Sequence, residues 1–135
     1  MLALLADVNA EGHLDALLAV CRSAQWIEVW QDLGMGVRRF ADFGLDRRTP
    51  DAVLWHFCQQ HDLLLVTANR NADDPDSLQA TIAVAGSAQS LPVLTIANAR
   101  RLHRDRAYCE RAATRLLDIL TDVGALRGTG RLWLP

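Results

Sequence analysis

The chain has 135 residues, half of them hydrophobic and 22% charged, with a net charge of −2. This length is typical of one domain with its own apolar core, and the apolar runs are too short for a membrane-spanning helix. Three widely separated cysteines indicate neither a disulfide framework nor a zinc motif, so we expect buried thiols. The first residues, MLALLADVN, carry no basic leader, and we expect a cytoplasmic protein.

The first part of the chain predicts a strand, a helix and a second strand. Leu2 to Ala6 is a continuous apolar run, typical of a strand buried on both faces. Apolar residues recur at helical spacing between Gly12 and Ala24, and Trp26 to Trp30 is predicted as the second strand. The glycine- and arginine-containing stretch from Gln31 to Arg48 predicts a surface loop with at most one short helical turn.

Two later segments begin with a cap-and-proline signal for a helix. In Thr49-Pro50-Asp51 the threonine is expected to cap the helix, the proline to take the first helical position, and the aspartate to favour the positive helix end. This helix is predicted to continue to about His61. The sequence Asp74-Pro75-Asp76-Ser77 predicts another helix start by the same logic.

The remaining segments continue the alternation of strands and helices. Leu63 to Val66 and Pro92 to Ile96 are predicted strands, Asn98 to Gly124 a long helix, and Arg131 to Leu134 a short terminal strand. The fold class expected from this order is α/β, a single three-layer Rossmann-like domain over residues 1–135 with a mostly parallel central sheet.

A helical wheel separates the predicted C-terminal helix into an apolar face and an arginine stripe. The apolar face is expected to contain Leu102, Cys109, Ala113, Leu116, Leu120 and Val123. The opposite stripe is expected to contain Arg100, Arg104, Arg111 and Arg115. Such a stripe is suited to phosphate binding, although solvated surface arginines would give the same pattern.

Several acidic residues are expected at the edge where the carboxyl ends of the predicted strands meet. In open parallel sheets, ligands collect outside the carboxyl ends of the strands. The acids expected there are Asp7, Asp51, Asp73 and Asp74. Carboxylates at one edge repel one another unless a cation neutralises them, and such oxygen ligands suit Mg²⁺ or Mn²⁺. A metal of this kind supports hydrolysis of a phosphodiester, whereas Asp51 and Asp74 alone would also be ordinary helix-start residues.

Three segments in order resemble the PIN-like nuclease domain superfamily, best over the first 80 residues. They are Asp7-Val-Asn9 after a strand, Thr49-Pro-Asp51 at a helix start, and Leu-Leu-Leu-Val-Thr67-Ala-Asn69. The resemblance implies a Rossmann-like sheet, Mg²⁺ or Mn²⁺ as cofactor, and cleavage of RNA, often in a toxin–antitoxin setting. It therefore implies RNA as partner and allows an antitoxin or another protein partner.

The resemblance implies that Asp7, with Asn9 beside it, is the first metal-binding carboxylate and that Asp51 is the second. Asn69 stands where the Thr-x-Asp pattern would supply a third acid, and Asn71 also replaces a commonly acidic position. An amide brings no negative charge, so we expect weaker metal binding unless Asp73 or Asp74 substitutes.

Three residues near the same edge are candidate substrate contacts. Arg70, next to Asn69, is a candidate contact for the scissile phosphate or a solvated loop residue. Asn9 and Asn69 are the other candidate substrate-binding residues.

Several alternatives remain beside the nuclease hypothesis. Gly34-Met-Gly36 lacks the spacing of a dinucleotide-binding loop. A PIN-like domain that no longer cleaves would serve as an RNA- or protein-binding module through the same edge.

The four histidines form no spaced metal motif, and His13 alone is expected near the edge. The tryptophans Trp26, Trp30 and Trp133 would mark a homodimer contact or belong to the core.

Overall fold

The computed structural model describes residues 2–68 and 77–135, which form a five-stranded, all-parallel sheet in the order β2-β1-β3-β4-β5. The strands are β1 (Ala3–Ala6), β2 (Gly36–Arg38), β3 (Leu63–Thr67), β4 (Val93–Ile96) and β5 (Arg131–Leu134). The helices are α1 (Glu11–Cys21), α2 (Ile27–Leu33), α3 (Phe40–Phe43), α4 (Asp51–Gln60), α5 (Leu78–Ala85), α6 (Ala99–Arg104) and α7 (Arg106–Thr121). Short 3₁₀ helices cover Val8–Ala10 and Val123–Leu126. The predicted α/β class with a parallel Rossmann-like sheet is confirmed.

The sheet is the middle of three layers, because alternate side chains of each strand point to opposite faces. On β1, Leu4 and Ala6 pack with residues of α1, α2, α6 and α7. Ala3 and Leu5 pack on the other face with residues of α3, α4 and α5. Burial on both faces explains why β1, β3 and β4 appear in the sequence as continuous apolar runs.

The predicted second strand at Trp26–Trp30 is wrong, because Trp26 is the N-cap of α2 and the four residues after it belong to that helix. Trp30 is buried in the core, whereas Glu28, Val29 and Gln31 are exposed, as expected for an amphipathic helix. Five residues are too few to distinguish a two-residue from a 3.6-residue period.

The predicted loop at Gln31–Arg48 is only partly correct. It contains the end of α2, the edge strand β2 and the short helix α3. Gly34 adopts φ 61°, the left-handed conformation that glycine accepts readily, and it ends α2. The three-residue strand β2 pairs only with β1 among the described residues, and its sequence Gly-Val-Arg has no alternating pattern.

The helix starts were predicted with partly wrong capping residues. Thr49 does not cap α4, since its hydroxyl donates to the carbonyl of Asp46 at 2.6 Å, and Pro50 occupies the N-cap position. Asp51 lies in the first turn as predicted. Helix α5 begins after Ser77, whose hydroxyl accepts from the amide of Ala80 at 3.2 Å.

The predicted long helix from Asn98 to Gly124 is divided at Asp105. This residue has extended backbone dihedrals (φ −124°, ψ 102°), ends α6 and caps α7. Its Oδ1 accepts from the amide of Tyr108 at 3.1 Å, and its Oδ2 pairs with Arg101 at 3.1 Å. The single arginine stripe is therefore divided between two helices, although all four arginines are exposed.

The predicted core residues are largely buried. On α6 and α7, Leu102, Cys109, Ala113, Leu116 and Leu120 are buried, whereas Val123 is only partly buried. The three cysteines are free and buried, as predicted. Trp30 belongs to the core, Trp26 is partly buried against it, and Trp133 is 47% exposed. Within the described ranges, no helix has both the length and the apolar character required to cross a membrane.

We expect Asp105→Ala to lower the melting temperature by a few degrees at neutral pH, because α7 loses its N-cap. Asp105→Asn should have a smaller effect, since it retains a capping oxygen. The amide of Tyr108 and the guanidinium of Arg101 lower the pKa of Asp105 below 3.8. The carboxylate therefore stabilises the fold above pH 3.8, and this contribution is lost as the pH falls through the lowered pKa.

Thermal unfolding of the three proteins between pH 3 and 7 checks this prediction. Asp32→Asn, on the exposed side of α2, removes the same charge without a capping position and serves as control. Equal melting temperatures for the native chain and Asp105→Ala across that range would contradict the capping role.

Candidate active site

The candidate site lies at the carboxyl edge of the sheet, where the strand order reverses. From β1 the chain continues to β2 on one side and later to β3 on the other, and ligands in open α/β sheets bind at such a switch point. The amide of Asp7, directly after β1, donates to the carbonyl of Val66 on β3 at 2.8 Å. This bond extends the strand pairing past β1 and holds Asp7 beside the end of β3.

A row of polar side chains crosses the sheet at this level. Ala6 pairs with Val66, and Thr67 with Thr95, so Asp7, Thr67 and Thr95 are lateral neighbours. Both threonines are buried, at 1% and 0% exposure. The hydroxyl of Thr67 donates to Oδ2 of Asp7 over 3.5 Å, which is a long and weak hydrogen bond. The row places polar groups on the face of the sheet that packs against α4 and α5.

Helix α4 and the residues before it supply the second side of the site. Asp51 lies in the first turn of α4, which starts at the carboxyl edge and leads back to β3. The preceding turn is fixed by Asp46, whose Oδ1 accepts from the amide of Arg48 at 2.7 Å. A cavity of about 440 Å³ forms between these segments. Its charged and polar lining includes Asp7, Asn9, His13, Arg47, Arg48 and Asp51.

The two carboxylates of this cavity act on each other electrostatically. Burial raises the pKa of Asp7 above its ordinary value of 3.8, and the negative charge of Asp51 raises it further. The backbone amides of Val8 and Asn9 and the hydroxyl of Thr67 oppose this by lowering the pKa. Asp7 is therefore a carboxylate whose charge is unfavourable in the fold without an added cation.

Arg131 on β5 brings a positive charge to the same face of the sheet. Its Nη1 donates to the hydroxyl of Thr95 at 2.8 Å, and its Nε donates to Oε1 of Gln79 at 3.0 Å. Burial lowers the pKa of Arg131, and the charge of Asp51 raises it. Asp51 thus lies within the field of a half-buried guanidinium.

A pair of histidines borders the cavity. Nδ1 of His13 on α1 lies 2.7 Å from Nε2 of His103 on α6, with the ring planes inclined at 51°. Burial and the charge of His103 lower the pKa of His13. The contact connects α6 directly to a residue that lines the cavity.

The donor set fits Mg²⁺ or Mn²⁺ better than a softer metal. Within residues 2–68 and 77–135, no three side chains of His, Cys, Asp or Glu form a complete metal-binding group. Mg²⁺ is commonly bound through only one or two carboxylates, with water and substrate phosphate as further ligands. Asp7 and Asp51, with the amide oxygen of Asn9 in the same cavity, meet that requirement.

The structure brings together three of the residues singled out from the sequence: Asp7, Asn9 and Asp51. The other predicted site residues lie outside the described residues: Asn69, Arg70, Asn71, Asp73 and Asp74.

Sequence reasoning missed Arg47, Arg48 and Arg131 as parts of the site, whereas His13 lies near the edge as expected. Arg47 and Arg48 directly precede a predicted helix start, and this position is the signal from which they could have been identified. Arg131 carried no local signal, because it comes from the last strand and reaches the site only through the fold.

No family model matched the chain, and no characterised protein or solved structure showed significant similarity to it. The geometry of the cavity and the chemistry of its residues are therefore the basis for assigning a function to this chain.

We expect Asp7→Asn to raise the free energy of unfolding at neutral pH in the presence of a chelator. The asparagine side chain keeps an acceptor for the hydroxyl of Thr67. It removes the carboxyl group of Asp7, whose pKa is raised in the fold. Such a group destabilises the fold as the pH rises above 3.8, because the folded state then binds the proton more tightly than the unfolded chain. The stabilisation should therefore increase with pH from about 4 upwards and become constant above the folded pKa.

Urea unfolding of the native chain, Asp7→Asn and the exposed control Asp32→Asn at several pH values measures this effect. A native chain more stable than Asp7→Asn at neutral pH without divalent metal would refute the assignment.

Proposed function

We propose that this protein is a Mg²⁺- or Mn²⁺-dependent phosphodiester hydrolase that cleaves RNA. One observation carries the proposal: Asp7 and Asp51, from distant parts of the chain, share a cavity with Arg47 and Arg48. Carboxylates suit a divalent cation, and guanidinium groups match phosphate oxygens in a planar, bidentate geometry. Both groups are needed at a site that acts on a phosphodiester.

Asp7 and Asp51 are the proposed metal-binding residues, with Asp73 and Asp74 as further candidates. When bound, a divalent cation would lower the pKa of a coordinated water and offset negative charge on the phosphate. Thr67 and the backbone amides of Val8 and Asn9 orient the carboxylate of Asp7. Asn9, which is exposed at the cavity, would contact substrate, as would Asn69 and Arg70.

Arg47 and Arg48 are the proposed phosphate-binding residues. In the described part of the chain, no carboxylate forms an ion pair with either side chain. Both are exposed at the mouth of the cavity, and the turn closed by Asp46 fixes the backbone that carries them. Their guanidinium groups would hold the non-bridging oxygens of the phosphate and stabilise the additional charge that develops as water attacks phosphorus and the bond from phosphorus to the leaving oxygen breaks.

A binding module that does not cleave is the second candidate function. Asn69, which stands where the Thr-x-Asp pattern would supply a third acid, favours this alternative. It predicts RNA binding through the same arginines without hydrolysis. The two candidates therefore differ in metal binding and turnover.

We expect Asp7→Asn and Asp51→Asn each to weaken Mn²⁺ binding by at least about tenfold. Each should reduce RNA cleavage by about a hundredfold or more, because several kcal/mol of metal-dependent stabilisation are lost. Calorimetric titration with Mn²⁺, followed by cleavage of labelled RNA at the same metal concentration, gives both quantities.

Asp32→Asn is the matched control, because it removes an exposed carboxylate far from the cavity lining. It should keep native metal binding and cleavage. Failure of the native chain to bind Mn²⁺ would refute the metal-dependent hydrolase, and RNA binding without turnover would then favour the module.

A further inference from the structure

Helix α6 lies beside the proposed active site. Strand β4 ends at Ile96, and α6 begins at Ala99, so the helix starts at the same carboxyl edge as Asp7. The 2.7 Å contact between His103 and His13 joins α6 to a residue lining the cavity. The surface of α6 is therefore continuous with the edge of that cavity.

The exposed face of α6 carries two guanidinium groups without a carboxylate partner. Arg100 and Arg104 are four residues apart and share one side of the helix, whereas Leu102 is buried on the opposite side. Among the described residues, neither arginine forms an ion pair. The neighbouring Arg101 and Arg106 pair with Asp105 and Glu110, both at 3.1 Å.

Four arginines that form no ion pair with a described residue lie at this edge of the sheet, although others, such as Arg22 and Arg115, lie elsewhere. Arg47 and Arg48 line the cavity, and Arg100 and Arg104 lie on the helix that contacts its His13. The chain has 16 acidic and 14 basic residues, so a shortage of carboxylates does not explain these unpaired groups. Four guanidinium groups at one edge repel one another and gain most from an anion that presents several charges.

We propose that Arg100 and Arg104 extend the active site into a track for the backbone of a single-stranded RNA. This inference rests on the proposed function, since the track leads to a cavity suited to a phosphodiester. Successive phosphates would contact α6, while one phosphate occupies the cavity beside Arg47 and Arg48. An acidic protein segment would also satisfy the arginines, but it has no phosphodiester to place in the cavity.

The track makes the site selective for a polynucleotide over a small phosphodiester. A small substrate such as bis(p-nitrophenyl) phosphate needs only the cavity, whereas an RNA strand gains additional contacts along α6. Removal of the α6 arginines should therefore weaken RNA binding and leave hydrolysis of the small substrate unchanged.

The test compares Arg100→Gln/Arg104→Gln with the control Arg22→Gln/Arg115→Gln. Both double variants remove two exposed positive charges, and Arg22 lies at the opposite end of α1 from the cavity. Binding of labelled oligouridylate is measured in chelator between about 50 and 200 mM salt. Two lost phosphate contacts should reduce the slope of log affinity against log salt by about 1.4, at 0.7 for each contact on a single strand.

At low salt, the α6 variant should bind oligouridylate about tenfold more weakly than the native chain, and the control should bind like the native chain. Hydrolysis of bis(p-nitrophenyl) phosphate with Mn²⁺ should be the same for all three proteins. Equal losses in both double variants would overturn the track, because net charge alone would then explain the effect.

Two further outcomes separate the track from the hydrolase. Competition by polyglutamate as strong as that by unlabelled RNA would overturn the assignment of the α6 surface to RNA. If the native chain hydrolyses neither substrate while the α6 variant shows the expected loss of slope, the proposed hydrolase fails and the RNA track is supported.

Discussion

The pairing of β1 with β3 is the constraint on which the site depends. Both strands are buried on both faces, and their parallel register continues past β1 through the hydrogen bond from Asp7 to Val66. A shift of one residue would exchange the faces of every side chain in β1 and place the Asp7 carboxylate on the side of α1 and α7. The apolar packing of Leu4 and Leu5 on opposite faces therefore also determines where the acidic group lies.

The inner strands could be predicted because strands that are buried on both faces consist almost entirely of apolar residues. Strands β1, β3 and β4 are apolar at nearly every position, and their predicted bounds agree closely with the structure. The edge strand β2 has only three residues and no apolar run, so it is recognised only by its pairing with β1 in the structure. Trp26–Trp30 was misassigned because its apolar residues suit either period, and the packing of Trp30 against the core decides for the helix.

The candidate site was predictable only where position along the chain determines position in space. Asp7 follows a strand and Asp51 begins a helix, so the rule for parallel sheets was enough to place both at one edge. Arg131 is the first residue of β5 and therefore lies at the amino ends of the strands, opposite the site. Its side chain extends along the sheet and reaches Thr95. The division of the C-terminal helix at Asp105 likewise separates Arg100 and Arg104 from Arg111 and Arg115, which no helical wheel could show.

The two carboxylates of the cavity differ in how the fold compensates their charge. Asp51 lies in the field of Arg131, which is itself held by Thr95 and Gln79. Burial raises the pKa of Asp7, and the weak Thr67 contact and two backbone amides oppose this rise without cancelling it. A cation bound at Asp7 would remove a burial penalty that Arg131 does not offset. Asp7 is therefore a residue at which the stability of the fold and the proposed metal binding should oppose each other.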